Sequence, residues 1–219
     1  MMYIVATLIA LLSYFLGSIS GAILVSKRVD GDDIRNKGSK NAGTTNMLRI
    51  YGKKAAALTF LIDILKGVVA VLIAVFVEKY IKKLSPEHFG YVADSLKYIA
   101  AVFVVLGHDF PIYFGFKGGK GVATSIAAIM VLDWKIGLVI IVTGLIIMIA
   151  TRYVSLGSVI SSILYPFMVI ALMIGRNNFN IINLVSAVIL SLLIIIKHKS
   201  NIKRLKNGTE NKLFSKNKN

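Results

Sequence analysis

Phe114-Gly115-Phe116-Lys117-Gly118-Gly119-Lys120-Gly121-Val122-Ala123-Thr124 sets a glycine-rich cationic turn between segments apolar enough to lie in lipid. Glycines let backbone N–H groups approach an anion closely, two lysines add charge, and the apolar run after Val122 aims a helix N-terminus at the same point. A phosphate or carboxylate is the natural occupant. The chain has neither a Gly-x-x-x-x-Gly-Lys-Ser/Thr nor a Gly-x-Gly-x-x-Gly spacing, so a nucleotide or dinucleotide site is not supported. The cradle rests on Gly118, Gly119, Gly121 and Lys120 at a helix start.

Three other polar clusters could join it. Residues 32–49, Asp-Asp-Ile-Arg-Asn-Lys-Gly-Ser-Lys-Asn-Ala-Gly-Thr-Thr-Asn-Met-Leu-Arg, are dense in hydroxyls, amides and turn formers. A solvated basic loop explains their charge but not the packing of short hydrogen-bonding side chains around Ser39, Asn41, Gly43, Thr45 and Asn46, which suits phosphate handling. Lys197-His198-Lys199-Ser200-Asn201-Ile202-Lys203-Arg204-Leu205 follows a long apolar run. If that helix continues, His198 and Asn201 fall on one face and address the same neighbour; a basic juxtamembrane helix on anionic lipid is the plainer alternative. Asp63 and Lys66 put opposite charges at i, i+3 inside an apolar helix, an arrangement that serves either a mutual ion pair or a site. His108-Asp109-Phe110-Pro111 reads as a capping or turn-stabilising element.

The elements that position these clusters are helices in a bilayer. Of the 219 residues, 56% are hydrophobic and 16% charged. A hydrocarbon core of about 30 Å needs roughly 20 apolar residues per helix, and hydropathy predicts spans near 3–26, 55–77, 95–114, 136–151, 155–175 and 181–197. A shorter helix is expected over Val122 to Leu132, with Asp133-Trp134-Lys135 breaking an apolar run too long for one span; a re-entrant segment is the alternative. The uncharged start followed by Lys27 and Arg28 argues against a cleavable signal peptide. Lys and Arg concentrate in residues 27–54, 114–121, 152–155 and 197–219. Seven spans with the N-terminus outside put all four segments, and the C-terminus, on the cytoplasmic side. The expectation is an all-α polytopic membrane protein forming a single domain over 1–219.

Composition also excludes. The net charge of +16 is spread over short inter-helix loops with few aromatics, which favours anionic lipid over nucleic acid. With no cysteine, thioester, thiolate-metal and disulfide chemistry are absent. No Gly-x-Ser-x-Gly elbow, His-x-x-x-x-Asp spacing or metal-ligand pattern occurs among the three histidines. A catalyst built from this chain would rely on positioning and charge. Leu16-Gly17-Ser18-Ile19-Ser20 and Leu156-Gly157-Ser158-Val159-Ile160-Ser161 share a small-residue rhythm, expected to serve helix packing rather than an inverted repeat.

Three segments, in order, resemble the bacterial acyl-phosphate:glycerol-3-phosphate acyltransferases, the integral-membrane PlsY family, over nearly the whole chain. They are Gly38-Ser39-Lys40-Asn41-Ala42-Gly43-Thr44-Thr45-Asn46 with Arg49; residues 115–124; and His198 to Asn201 with Arg204-Leu205 and Gly208-Thr209-Glu210. Asp63-x-x-Lys66-Gly67, His108-x-Phe110-Pro111 and Arg152-Tyr153-x-Ser155 add support. Lys40 departs from the glycine usual there. The resemblance implies transfer of an acyl group from acyl phosphate to the sn-1 hydroxyl of glycerol 3-phosphate at the cytoplasmic face of a bacterial inner membrane, with no cofactor, metal or obligate protein partner. It implies catalytic roles for Ser39, Arg49, Lys120, His198 and Asn201. Substrate contacts would come from Asn41, Gly43, Thr45, Asn46, Lys66, Gly118, Gly119 and Gly121. Two competing readings are a transporter of a small organophosphate, which would also use broken helices and glycines near an anion, and a non-catalytic membrane subunit.

Overall fold

Asp133 does interrupt the long apolar run, and it does so as a helix cap: its carboxylate accepts from the Lys135 and Ile136 N–H groups at 3.0 and 3.2 Å. Two orphan donors at a helix start are thereby satisfied. Asn180 repeats the device, accepting from Ile182 and Asn183 at 3.0 and 3.1 Å. The computed structural model describes residues 2–84 and 94–213. Their order is α1 (Met2–Gly17), α2 (Gly21–Asp30), α3 (Thr44–Leu84), α4 (Leu96–Asp109), α5 (Val122–Leu132), α6 (Trp134–Thr151), α7 (Val154–Gly175), α8 (Ile181–Lys197) and α9 (Lys199–Lys206). Single 3₁₀ turns lie at Ile34–Asn36 and Ile112–Phe114, and the described residues contain no strand.

Two expected spans need correction. The one at 3–26 is two helices, because Ser18 turns its hydroxyl back to the Tyr14 carbonyl and Ser20 caps α2 through the Ile23 N–H. The one at 55–77 belongs to a much longer α3 that starts at Thr44 and is broken at Gly52, whose φ of 78° and ψ of −169° only glycine adopts readily. Among the described residues five stretches are long and apolar enough to cross a membrane: Tyr3–Asp30, Thr44–Leu84, Leu96–Phe114, Trp134–Thr151 and Val154–Gly175. Ile181–Lys197 with Lys199–Lys206, bent by 58°, would make a sixth, and Val122–Leu132 is a shorter apolar helix. Side chains such as Phe76, Ile149, Phe167 and Ile196 face outward, as lipid contact requires.

The chain divides into two compact units, Met1–Leu132 and Asp133–Asn219. In the first, α1 packs on α4, and α3 packs against α2, α4 and α5. The α1–α4 crossing is close because it is made of glycines: a Cβ on Gly17 would lie 2.1 Å from the Val104 carbonyl oxygen, and one on Gly107 2.2 Å from that of Tyr14. In the second unit α7 packs on α6 and α8, and a Cβ on Gly157 would stand 2.6 Å from the Gly144 carbonyl oxygen. Both halves of the small-residue rhythm thus serve helix packing, where apolar lipid offers no hydrophobic drive and close contact must supply the attraction.

Candidate active site

The first loop is organised by one amide. Asn46, on the first turn of α3 and buried, donates from Nδ2 to the carbonyls of Lys37 and Asn41 at 3.0 and 3.1 Å and more weakly to that of Ile34 at 3.4 Å. Its Oδ1 accepts from the Ser39 N–H at 3.0 Å. Asn46 therefore ties residues 34–41 to the start of α3, while buried Ile34 and Met47 anchor the loop from below. This geometry gives Asn46 a loop-holding place rather than the phosphate contact expected from sequence. Ser39 and Thr45 are exposed; Asn41, Gly43 and Arg49 are partly buried. Among the described residues the Arg49 side chain has no hydrogen bond or ion pair.

Lys40 sits in this loop at φ 59°, the left-handed region. The cost of an L-residue there is about 1–2 kcal/mol, partly offset in a glycine variant by the greater unfolded-state entropy. Lys40→Gly is expected to raise the melting midpoint in detergent by about 2–4 °C, the shift of roughly 1 kcal/mol in a chain of this size.

The glycine turn differs from its expected form in one respect. The Gly118 and Gly119 amides donate to the carbonyls of Asp109 and His108, each at 3.2 Å, so both hold the turn to the end of α4 instead of facing an anion. Gly119 is buried where two elements meet it: a Cβ there would lie 2.1 Å from His108 Nε2 and 2.7 Å from the Ala42 carbonyl oxygen. The turn thus rests directly on the first loop. Lys120 follows, partly buried, and α5 opens at Val122.

Beneath Gly119 lies the buried polar group. Lys66 Nζ is 2.8 Å from Asp63 Oδ1, donates to the Ile19 carbonyl at 2.7 Å, and lies 2.9 Å from His108 Nδ1. Thr124 donates to the Asp63 carbonyl at 3.2 Å. A charge inside an apolar helix persists only when so satisfied. Lys66, expected among the substrate contacts, is instead enclosed at the crossing of α1, α3 and α4. Its ammonium fixes the His108 ring against which Gly119 packs.

In the second unit the expected straight continuation of α8 is corrected: the helix turns by 58° at His198. His198 and Asn201 are nevertheless both buried. His198 Nδ1 donates to the Ile194 carbonyl at 2.8 Å, so a neutral ring carries its basic lone pair on Nε2. Asn201 Nδ2 donates to Glu210 Oε1 at 2.6 Å, Ser155 Oγ to the same oxygen at 2.8 Å, and Arg204 Nε to Oε2 at 2.7 Å. Glu210 stands in the Gly208-Thr209-Glu210 segment that carries the resemblance, but sequence alone assigns it no role, because a glutamate in a polar tail reads as solvated; the three donors come from two different helices.

Burial pushes the Glu210 carboxyl up, but the hydrogen bonds from Asn201, Ser155 and Arg204 outweigh it and hold the group below its ordinary value of 4.5. A depressed folded-state value means that the network's stabilisation is complete above the ordinary range and is lost as pH falls through the folded value. Glu210→Gln, which also turns an amide donor toward Arg204 or Asn201, is expected to melt about 2–4 °C lower at pH 7, with the gap closing as the buffer is taken below pH 4.5.

Residues 7–208 match the family model described as glycerol-3-phosphate acyltransferase. The chain belongs to this family. Glycerol-3-phosphate acyltransferase of Clostridioides difficile (strain 630) is 42% identical over 209 residues, covering 95% of this chain and 96% of that protein. Its counterpart from Thermoanaerobacter sp. (strain X514) is 41% identical over 211 residues, covering 96% and 97%. The crystal structure of PlsY, an integral membrane glycerol 3-phosphate acyltransferase, in its glycerol 3-phosphate form superposes with a TM-score of 0.78 at 34% identity, over 95% of each chain. Its lysophosphatidic acid form gives 0.75 at 33% identity over the same shares. With helices of spanning length throughout the described residues, this acyltransferase-family chain is a multi-pass membrane protein.

Proposed function

We propose that this protein transfers a fatty acyl group from acyl phosphate to the sn-1 hydroxyl of glycerol 3-phosphate, releasing 1-acylglycerol 3-phosphate and phosphate. The observation that carries the reading is the seating of the glycine turn on the Ser39–Arg49 loop at Gly119 and Ala42, which gathers cationic, amide and hydroxyl groups suited to two phosphoanions. Lys120 and the turn, with Ser39, bind and polarise the acyl phosphate. Arg49, a planar fork, clamps the phosphate of the acceptor, with Asn41, Gly43, Thr45 and Asn46 shaping its loop. His198 and Asn201 orient the acceptor, and either His198 or a phosphate oxygen of the acceptor takes the hydroxyl proton. Acyl phosphate is an activated donor, so positioning and neutralisation supply the catalysis, up to about 7–11 kcal/mol from orientation alone.

The whole chain acts as one catalytic domain in a bacterial inner membrane. Seven crossings are proposed: the α1–α2 pair, then α3 through α8, with the N-terminus outside and the basic segments 27–54, 114–121, 152–155 and 197–219 in the cytoplasm. The deciding experiment supplies detergent-purified protein with glycerol 3-phosphate and, in parallel, a long-chain acyl phosphate, acyl-CoA or acyl-carrier protein. Lysophosphatidic acid and phosphate formed from acyl phosphate are expected. Product from a thioester alone overturns the donor, and no product with any donor, together with flux of glycerol 3-phosphate across sealed vesicles, replaces the enzyme by a transporter.

A further inference from the structure

The guanidinium of Arg35 joins the two anion-handling segments. It lies in the 3₁₀ turn Ile34–Asn36 at the head of the first loop. Nη1 donates to the carbonyls of Phe114 and Lys117, at 2.7 and 2.9 Å, which are the two ends of the bend leading into Gly118. The other edge of the fork is held by Asp33: Nε lies 3.0 and 3.1 Å from its two oxygens and Nη2 2.7 Å from Oδ2. Asp33 is itself fixed, since its Oδ1 accepts the Arg35 N–H at 2.9 Å and so caps the 3₁₀ turn. Burial raises the Asp33 carboxyl, yet the Arg35 donors hold it below the ordinary carboxylate range, which keeps the clamp charged at neutral pH.

We infer that Arg35, oriented by Asp33, is a positioning residue that fixes the register of the glycine turn against the Ser39–Arg49 loop. The geometry explains why arginine is needed. A lysine has one nitrogen and cannot bind a carboxylate on one edge and two carbonyls on another. Residues 114–117 include Gly115 and Phe116 at φ 65° and 59°, a backbone that needs external support to persist. Gly118 and Gly119 bind the turn to α4, and the Asn46 amide binds the loop to α3; Arg35 adds a side-chain tie between the turn and the loop themselves. The inference rests on the proposed function only for its catalytic consequence, because a register error of about 1 Å between two bound anions costs roughly a hundredfold in rate.

The test compares wild-type protein with Arg35→Ala, Arg35→Lys and Asp33→Asn, all in detergent. Arg35→Ala is expected to lower kcat with acyl phosphate and glycerol 3-phosphate about a hundredfold while the KM values change by less than about threefold, with Arg35→Lys intermediate and Asp33→Asn losing about tenfold. Amide hydrogen exchange in residues 114–121 should rise in Arg35→Ala while that of residues 134–206 stays at the wild-type rate. A kcat within twofold of wild type in folded Arg35→Ala overturns the inference. So does unchanged exchange in 114–121. Wild-type protein that transfers no acyl group overturns the proposed function instead, and the exchange comparison then still decides whether Arg35 holds the turn.

Discussion

Arg49→Ala is expected to lower kcat/KM for acyl transfer from acyl phosphate to glycerol 3-phosphate by about a thousandfold or more, and Lys120→Ala to do the same. Under the proposed function each deletion removes a cation that binds phosphate, and loss of one such donor typically costs about 10²–10³ and a bidentate contact more. For Arg49 the effect can be separated from a mere folding defect. Among the described residues Arg49 makes no hydrogen bond or ion pair with the protein, so its removal leaves no buried partner stranded. The melting midpoint of Arg49→Ala is therefore expected within about 2 °C of wild type, while activity collapses. Arg49→Lys keeps the charge but loses the planar fork, and should recover only part of the rate. Wild-type-like turnover in either alanine variant would sink the assignment of these residues.

What sequence could and could not supply follows from the range of the interactions involved. Helix positions α4 through α8 were legible because length and apolarity are local properties, and Asp133 announced its break by being polar in an apolar run. The Ser18–Ser20 break was not, since serines are tolerated in membrane helices and only their hydroxyl contacts decide the outcome. The upstream start of α3 was hidden for a related reason: residues 44–54 are polar enough to resemble a loop, and their helix is held by Met47 packing and the Asn46 amide.

The site was legible as a set of loops and much less so as a set of contacts. Clustering of glycine, hydroxyl, amide and cation drew attention to residues 38–49 and 115–121, of which 38–43 and 115–121 are turns and 44–49 already belong to α3. Which amides face outward depended on the carbonyls at the end of α4, and no spacing rule encodes that. Lys66 and Asn46 illustrate the same limit, because both carry phosphate-binding groups and both are occupied by the protein itself. The Asp33-x-Arg35 spacing was a usable local signal for a fixed guanidinium, but its partners at 114 and 117 lie about eighty positions away.

Gly119→Ala is expected to damage activity far more than stability. The added Cβ would stand 2.1 Å from His108 Nε2 and 2.7 Å from the Ala42 carbonyl oxygen, both inside the distance that real Cβ atoms keep. Neither neighbour gives way cheaply. The His108 ring is held at Nδ1 by the Lys66 ammonium, which is itself bound to Asp63 and the Ile19 carbonyl; the Ala42 carbonyl belongs to a loop pinned by Asn46. Overpacking of this kind costs about 1–3 kcal/mol, so the protein should remain folded but melt several degrees lower. The expected functional loss is larger, because the turn relieves the clash by lifting from the loop that, under the proposed function, aligns the two phosphates. A fall in kcat/KM of about 10²–10³ follows from a displacement near 1 Å. Gly175→Ala is the matched control, since a Cβ there meets nothing within 4 Å. If Gly119→Ala turned over within about threefold of the control, the turn and the loop would not need to touch, and the seating that carries the proposed function would lose its mechanistic meaning.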